Sequence, residues 1–141
     1  MDFYSKKRNT LRALDKFGLG KAFQITVEEE NSVLLQSEQN ICNGNCLISL
    51  SLDDRLVTPI YFSLGKLINK SRKEDMLDLL NSFNFNNVIL KFYLDADDCV
   101  MVQVMYINSN FDADEYVNLI GIAFQIIRDE FYSKIMRVMW A

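Results

Sequence analysis

The sequence predicts an α+β domain: one antiparallel sheet of about six strands with helices packed on one face, in the order α-β-β-β-β-α-β-β-α. Three observations predict it. Asp112 to Trp140 holds a long apolar stripe, Leu119, Ile120, Ala123, Phe124, Ile127, Phe131 and Ile135, at the three- and four-residue steps of a helix. Shorter segments alternate apolar and polar side chains with the period of two that lays one face of a strand on a core. The four strand-like segments within 22–63 have no helix-length spacer between them, as parallel pairing through βαβ units would need. A stripe as wide as the last helix carries must lie on something apolar, and the sheet supplies it.

The chain opens with a helix over 2–17. Phe3, Thr10, Leu11, Leu14 and Phe17 give a modest apolar face, and Gly18 and Gly20 stop it. Lys6, Lys7, Arg8 and Arg12 read as a solvated face, with an acidic partner or lipid headgroups as the alternative. Residues 22–28 alternate, with Phe23, Ile25 and Val27 pointing one way, and read as a half-buried strand. Ser32 to about Gln36 is the second strand, and its polar continuation toward Ile41 suggests irregular chain. In Cys42-Asn43-Gly44-Asn45-Cys46 the Asn-Gly pair signals a hairpin, because both residues tolerate positive φ. The two cysteines flank that turn; a disulfide or half a metal site is the sharp reading, two small strand residues the plain one. A strand over 46–52 and another over 56–63 follow, and Pro59 in the latter points to a sheet edge or a bulge.

Ser71 and Glu74 have capping-box spacing and open a helix over 72–83. Its Met76, Leu77, Leu79, Leu80 and Phe83 spread wider than a sheet-facing stripe needs. The Asn-rich run from Asn81 to Asn87 breaks it. A strand over 88–94 has Val88, Leu90, Phe92 and Leu94 on one face, Asp95-Ala96-Asp97-Asp98 turns the chain, and a strand over 99–106 returns. The acidic turn lacks the length, central glycine and terminal glutamate of a calcium loop, so turn formation is its reading. Asp112 and Glu115 cap the last helix.

Composition narrows function by exclusion. The 141 residues make about one domain, 1–141, and half of them are apolar, enough for one core. A net charge of −4 argues against nucleic-acid binding, which needs a positive surface. No apolar run reaches the length of a membrane span, and none follows Lys6-Lys7-Arg8 as a signal peptide requires. With an odd count of three cysteines, which suits reduced thiols, the expectation is a cytoplasmic protein. Histidine is absent, which removes the commonest general base, the His-dependent nucleophiles and most zinc and haem sites. Phosphate-loop, dinucleotide, nucleophile-elbow and C-x-x-C motifs are absent too. The sequence therefore reads as non-enzymatic, with no catalytic, cofactor-binding or metal-ligating residue and no cofactor. Protein contact is left. Met76, Leu79 and Phe83 of the second helix and Met136, Met139 and Trp140 of the tail are the candidate contact residues, because Met and Trp together suit adaptable interfaces. Completion of the core is the competing reading for both groups.

The second half carries a family resemblance. A helix ends in Leu79-Leu80-Asn81-Ser82-Phe83-Asn84, and Val88-Ile89-Leu90-Lys91-Phe92-Tyr93-Leu94 alternates after it. An Asp-rich turn, a strand to Tyr106, an acidic helix start and a long amphipathic helix complete the pattern. This resembles the YbjN family of bacterial proteins, whose fold is similar to that of the type III secretion chaperones. The resemblance covers 19–140 as an order of elements and 76–106 in residue pattern. The family's glycine-bearing hairpins are partly replaced by Glu29-Glu30-Asn31 and Asp97-Asp98. It implies a type III secretion chaperone-like fold and a protein-binding or regulatory module, of the kind described as sensory-transduction regulators, working as a homodimer on a protein partner. Two alternatives stand beside it: an accessory or inhibitory protein of a mobile element that binds a host factor, and a chaperone for a secreted partner.

Overall fold

A computed structural model describes residues 2–141. In chain order the elements are α1 (Phe3–Lys16), β1 (Gln24–Glu29), β2 (Ser32–Ile41), β3 (Gly44–Asp53), β4 (Val57–Lys66), α2 (Lys73–Asn86), β5 (Lys91–Leu94), β6 (Cys99–Ile107), α3 (Ala113–Ile126) and α4 (Tyr132–Met139). A 3₁₀ turn, Lys70–Arg72, leads into α2, and a π-helical turn, Ile127–Phe131, joins α3 to α4. The strands form one six-stranded sheet in the order β1-β2-β3-β4-β6-β5, every neighbouring pair antiparallel. The expected α+β class and element order are what the chain adopts.

Alternation decides which face is covered. Leu35, Leu50, Ile60, Phe62, Phe92 and Val102 point from five strands toward the helices and are buried with Leu14, Met76, Tyr116, Ile120 and Ile135. Each such side chain contributes roughly 1.5–3 kcal/mol of burial free energy. The opposite face has no helix. Across it runs one row of directly paired residues, Gln24, Gln36, Ser49, Tyr61, Gln103 and Lys91, one from each strand. Directly paired residues share a face, and this row is polar or amphipathic, while Leu47, Met105 and Ile107 on the same face are exposed apolar residues. Gln36 Nε2 donates to Ser49 Oγ at 3.0 Å within that row.

Several local expectations are corrected. In β1 the register slips between Ile25 and Val27, so Ile25 pairs with Leu35 on the helix side and Val27 with Leu34 on the open side. All six β1 residues are exposed, so this is an edge strand rather than a half-buried one; Phe23, just before it, is buried. β2 stays regular to Ile41 because polar Gln36 and Asn40 fall where the sheet meets water. Pro59 lies in an interior strand and pairs with Met105 without a bulge, but toward β3 it has no partner, so the expected edge is a local one. The ladder to β3 stops at Ile60, next to it. The proline carbonyl accepts instead from Tyr116 Oη at 3.2 Å. The irregularity of β4 falls later, between Ser63 and Lys66, where Gly65 takes a φ of 113°.

Ser71 is not the cap of α2. Asn69 Oδ1 caps the preceding 3₁₀ turn, accepting from Ser71 N at 3.2 Å and Ser71 Oγ at 2.7 Å. Nor does the Asn run break the helix at Asn81. α2 continues to Asn86 because Asn84 has a use there: its Nδ2 donates to Phe92 O at 2.8 Å and its Oδ1 accepts from Phe92 N at 2.7 Å. Asn87 Oδ1 then accepts from Ile89 N and Leu90 N, both at 2.9 Å, and turns the chain. β5 therefore starts only at Lys91, and Val88 is fully exposed rather than facing the core.

The basic face of α1 is also divided. Lys6 is 2% exposed. Its Nζ donates to Arg55 O at 2.7 Å and Thr58 Oγ1 at 3.1 Å, and sits 5.3 Å from the centre of the Phe111 ring. Burial lowers its pKa below the usual lysine value, with Asp53 and Asp54 opposing the shift. Lys6 thus ties the β3–β4 turn to α1 by way of its long apolar stem.

Candidate functional site

The C-terminal helix changes phase halfway along. On α3 the buried positions are Tyr116, Val117, Ile120 and Ala123, followed by Ile127. A regular helix would bury Phe131 next. The π turn widens the helix, and the buried series resumes at Tyr132, Ile135 and Met139. Phe131 moves sideways and packs on Phe83 and Phe92, its ring 4.8 Å from each. Asp112 Oδ1 caps α3 by accepting from Glu115 N at 3.1 Å. The reciprocal half of a capping box is missing: Glu115 Oε1 accepts from Tyr106 Oη at 3.3 Å instead.

The phase change presents one flank of α4 to the tip of the β2–β3 hairpin. Ile41 pairs with Gly44, so the loop is Cys42-Asn43, one residue earlier than the Asn-Gly signal implies. The left-handed position falls on Cys42, with φ 52°. Gly44 has another use: a Cβ there would lie 2.2 Å from Tyr132 Oη, so glycine lets α4 approach. Cys46 pairs with Gln39 and is buried, whereas Cys42 is exposed in the loop, so the two do not face each other and all three cysteines are free. Burial pushes the Cys46 thiol up to about 12, and burial together with Asp95 and Asp97 raises Cys99.

Between this hairpin tip, the end of β4 and α4 lies an open groove of about 760 Å³. Ile68, Met136, Met139 and Trp140 supply its apolar surface. Ile68 is 71% exposed and Trp140 is 72% exposed, while Met136 is half-buried and Met139 is buried at its base. The Tyr132 hydroxyl lines the groove beside Gly44 with no hydrogen bond among the described residues, and burial raises its pKa above the ordinary tyrosine value, with Cys42 and Cys46 adding to it. Lys66 and Arg137 stand at its rim.

The two groups of sequence-predicted contact residues fare differently. Met136, Met139 and Trp140 come together in the groove. Met76 and Phe83 point into the core, and Leu79 is packed partly buried against it. On α2 the exposed apolar residues are Leu77 and Phe85 instead. Ile68, Tyr132, Lys66 and Arg137 complete the groove and were not singled out from sequence. An isoleucine in the polar connection before α2 was the available signal for the first of them.

Two polar regions hold ion pairs. Asp98, at φ 61° in the acidic turn, is buried with its carboxylate between Lys70 and Lys73, 3.0 Å from Lys73 Nζ. Hydrogen bonds from both lysines hold its pKa below the usual carboxylate value. A polar cleft of about 550 Å³ lies between α1 and the start of α3, and there Lys16 meets Asp114 at 2.6 Å. Among the described residues no three His, Cys, Asp or Glu side chains are grouped to hold a metal ion, and no helix is long and apolar enough to cross a membrane. No protein-family model, curated protein or solved structure matches the chain.

Proposed function

We propose that this protein is a non-enzymatic, cytoplasmic module that binds another protein and regulates it, as the resemblance to YbjN-type regulators implies, and that the groove beside α4 receives the partner. The observation behind this reading is the apolar surface of the groove, where an exposed tryptophan, an exposed isoleucine and a half-buried methionine adjoin one another. Contiguous apolar surface of this kind is the usual signature of an interaction site, and methionine and tryptophan are enriched in such surfaces. The groove is open to solvent and its accessible surface is mostly apolar, which suits a protein segment.

A photo-crosslinking amino acid at position 140, introduced in the source cell, tests the reading. The expected result is one covalent adduct with a partner protein that Met136→Asp abolishes and that the same probe at exposed position 21 does not form. The same adducts from both positions would refute it. Self-association belongs to the same proposal, with Leu77 and Phe85 on the outer side of α2 as its surface. Sedimentation equilibrium should give a dimer mass that Leu77→Asp reduces to a monomer; a monomer at all micromolar concentrations removes that part.

A further inference from the structure

β3 and β4 separate where they reach the groove. Their ladder runs from Leu50 and Ile60 to Leu47 and Ser63 and ends there. β3 nevertheless begins at Gly44, and β4 continues to Lys66. On their far sides both arms stay paired, Gly44 to Cys46 with β2 and Lys66 with Cys99 of β6. The irregularity between Ser63 and Lys66 bends β4 at this point. Gly44 and Asn45 of one arm and Leu64, Gly65 and Lys66 of the other line the groove. The groove therefore lies in a fork of the sheet, with α4 along one side.

The hairpin fixes which backbone groups face the fork. Ile41 and Gly44 flank a two-residue loop and pair with each other, so the N–H and C=O of Gly44 point to β2. These groups alternate sides along a strand. Those of Cys46 also point to β2, and those of Asn45 and Leu47 point away from it, toward β4. Leu47 meets Ser63 there, whereas Asn45 has no residue opposite it among the described residues. One main-chain donor and one acceptor are thus left free beside the groove. β2 is also unpaired beyond Gln36 on the β1 side, but that stretch does not line the groove. A third polar group lies close by. Tyr132 is 6% exposed, and its unpartnered hydroxyl stands 2.2 Å from where a Cβ of Gly44 would be, one residue from Asn45.

A helix consumes its own backbone groups and has none to offer Asn45, whereas an extended segment presents them at alternate residues. Resting on the reading that the groove binds a partner protein, we infer that the occupant is an extended segment of that partner, added to β3 at Asn45 by main-chain hydrogen bonds. Every second side chain of the segment faces the apolar surface of Ile68, Met136 and Trp140, and the side chains between them face the open side of the sheet. The Tyr132 hydroxyl donates to an acceptor on the segment.

Displayed peptides of random sequence, selected on the intact protein and counter-selected against Ile68→Asp, test this. Trp140, the chain's single tryptophan, reports occupancy by fluorescence. The expected binders carry apolar residues at alternate positions. Methylating their backbone nitrogens one at a time should weaken binding about tenfold at alternate positions and leave the positions between unchanged. On the protein, Asn45→Pro removes the free N–H without taking a bond from the β2 ladder, and should also lower affinity about tenfold. Asn45→Ala keeps that N–H and should bind as the parent does. Circular dichroism checks the fold of each variant, and the methylated series leaves the protein untouched. Binders that weaken without alternation, and that hold Asn45→Pro as tightly as the parent, overturn the extended segment and leave the groove reading standing. A library without any binder that moves Trp140 and is lost in Ile68→Asp overturns both. Trp140 emission that shifts with protein concentration alone, and does not in Ile68→Asp, would make the occupant a second copy and overturn the inference.

Discussion

α3 and α4 belong to one continuous helix and draw on similar residues, yet they meet their surroundings in opposite ways. α3 is capped by Asp112, sends Tyr116 through the core to the carbonyl of Pro59, and covers the middle of the sheet. α4 buries Tyr132, Ile135 and Met139 on one side and leaves Met136, Arg137 and Trp140 around a groove. The π turn separates the two behaviours. An α-helical residue advances about 100° around the axis, so a single extra residue in the turn reorients everything after it. The same apolar composition closes a core before the turn and borders an open surface after it.

The contrast can be broken most severely at Tyr116. Truncation to alanine removes a fully buried ring and its hydrogen bond and should cost about 4 kcal/mol in urea unfolding. A loss below about 1 kcal/mol would mean that α3 is not the anchor. Gly44→Ala tests the close approach of α4 to the hairpin. The added methyl collides with Tyr132 Oη, and the expected cost is about 1–3 kcal/mol, with a changed Trp140 emission as the groove opens.

Alkaline pH sharpens the comparison in a graded way. Burial raises the pKa of both Tyr116 and Tyr132 above the ordinary 10.0, and Tyr116 the more strongly. A raised folded-state pKa means that the unfolded chain loses its proton first. The stability these tyrosines contribute is therefore complete below pH 10 and is lost as pH rises above it. Unfolding midpoints measured up to pH 12 should fall, and Tyr116→Phe should remove more of that fall than Tyr132→Phe does. Equal effects would erase the distinction between the two helices. The smallest stability effect belongs to Trp140→Ala, at most about 0.5 kcal/mol for a side chain this exposed. Partner capture should nonetheless be lost in this variant; a stability loss of several kcal/mol would place Trp140 in the core instead.

What periodicity could reveal in the sequence was the interior of each element. Val100, Val102 and Val104 in β6, or Ile48 and Leu50 in β3, alternate because burial on one face requires it. Events that add or displace one residue were hidden, since the chain on either side still fits a regular pattern. The slip at Ile25–Val27, the π turn at Ile127–Phe131 and the hairpin loop at Cys42 are all of this kind. Lys6 was hidden for a different reason: its charge reads as surface while its stem is compatible with burial. In the site, Met136 and Trp140 were legible as surplus apolar residues at a helix end. Met76 and Phe83 could not be told apart from them, because the width of a stripe does not say how many neighbours cover it. α2 meets β5 and α4 along the stripe of Met76, Leu80 and Phe83, with Leu79 half-buried beside it, and leaves Leu77 and Phe85 exposed. Lys66, Ile68 and Gly44 come from separate stretches of chain that only the folded hairpin and strand end bring beside α4.

The amide of Asn84 has a consequence for the life of the protein at high concentration. Fibre growth by sheet extension begins when a strand of one molecule finds unpaired backbone groups on another. At β5 the outward N–H and C=O of Phe92 are already held by Asn84, so an arriving chain would first have to peel the last turn of α2 away. At the far margin the slipped register of β1 and its Glu28 and Glu29 spoil the template by other means. Along β5 a side chain that imitates a neighbouring strand opposes templated growth, and along β1 misalignment and charge oppose it. Asn84→Leu would remove the first barrier while leaving Phe83 and the core in place, and such a variant should seed fibres that the parent chain resists.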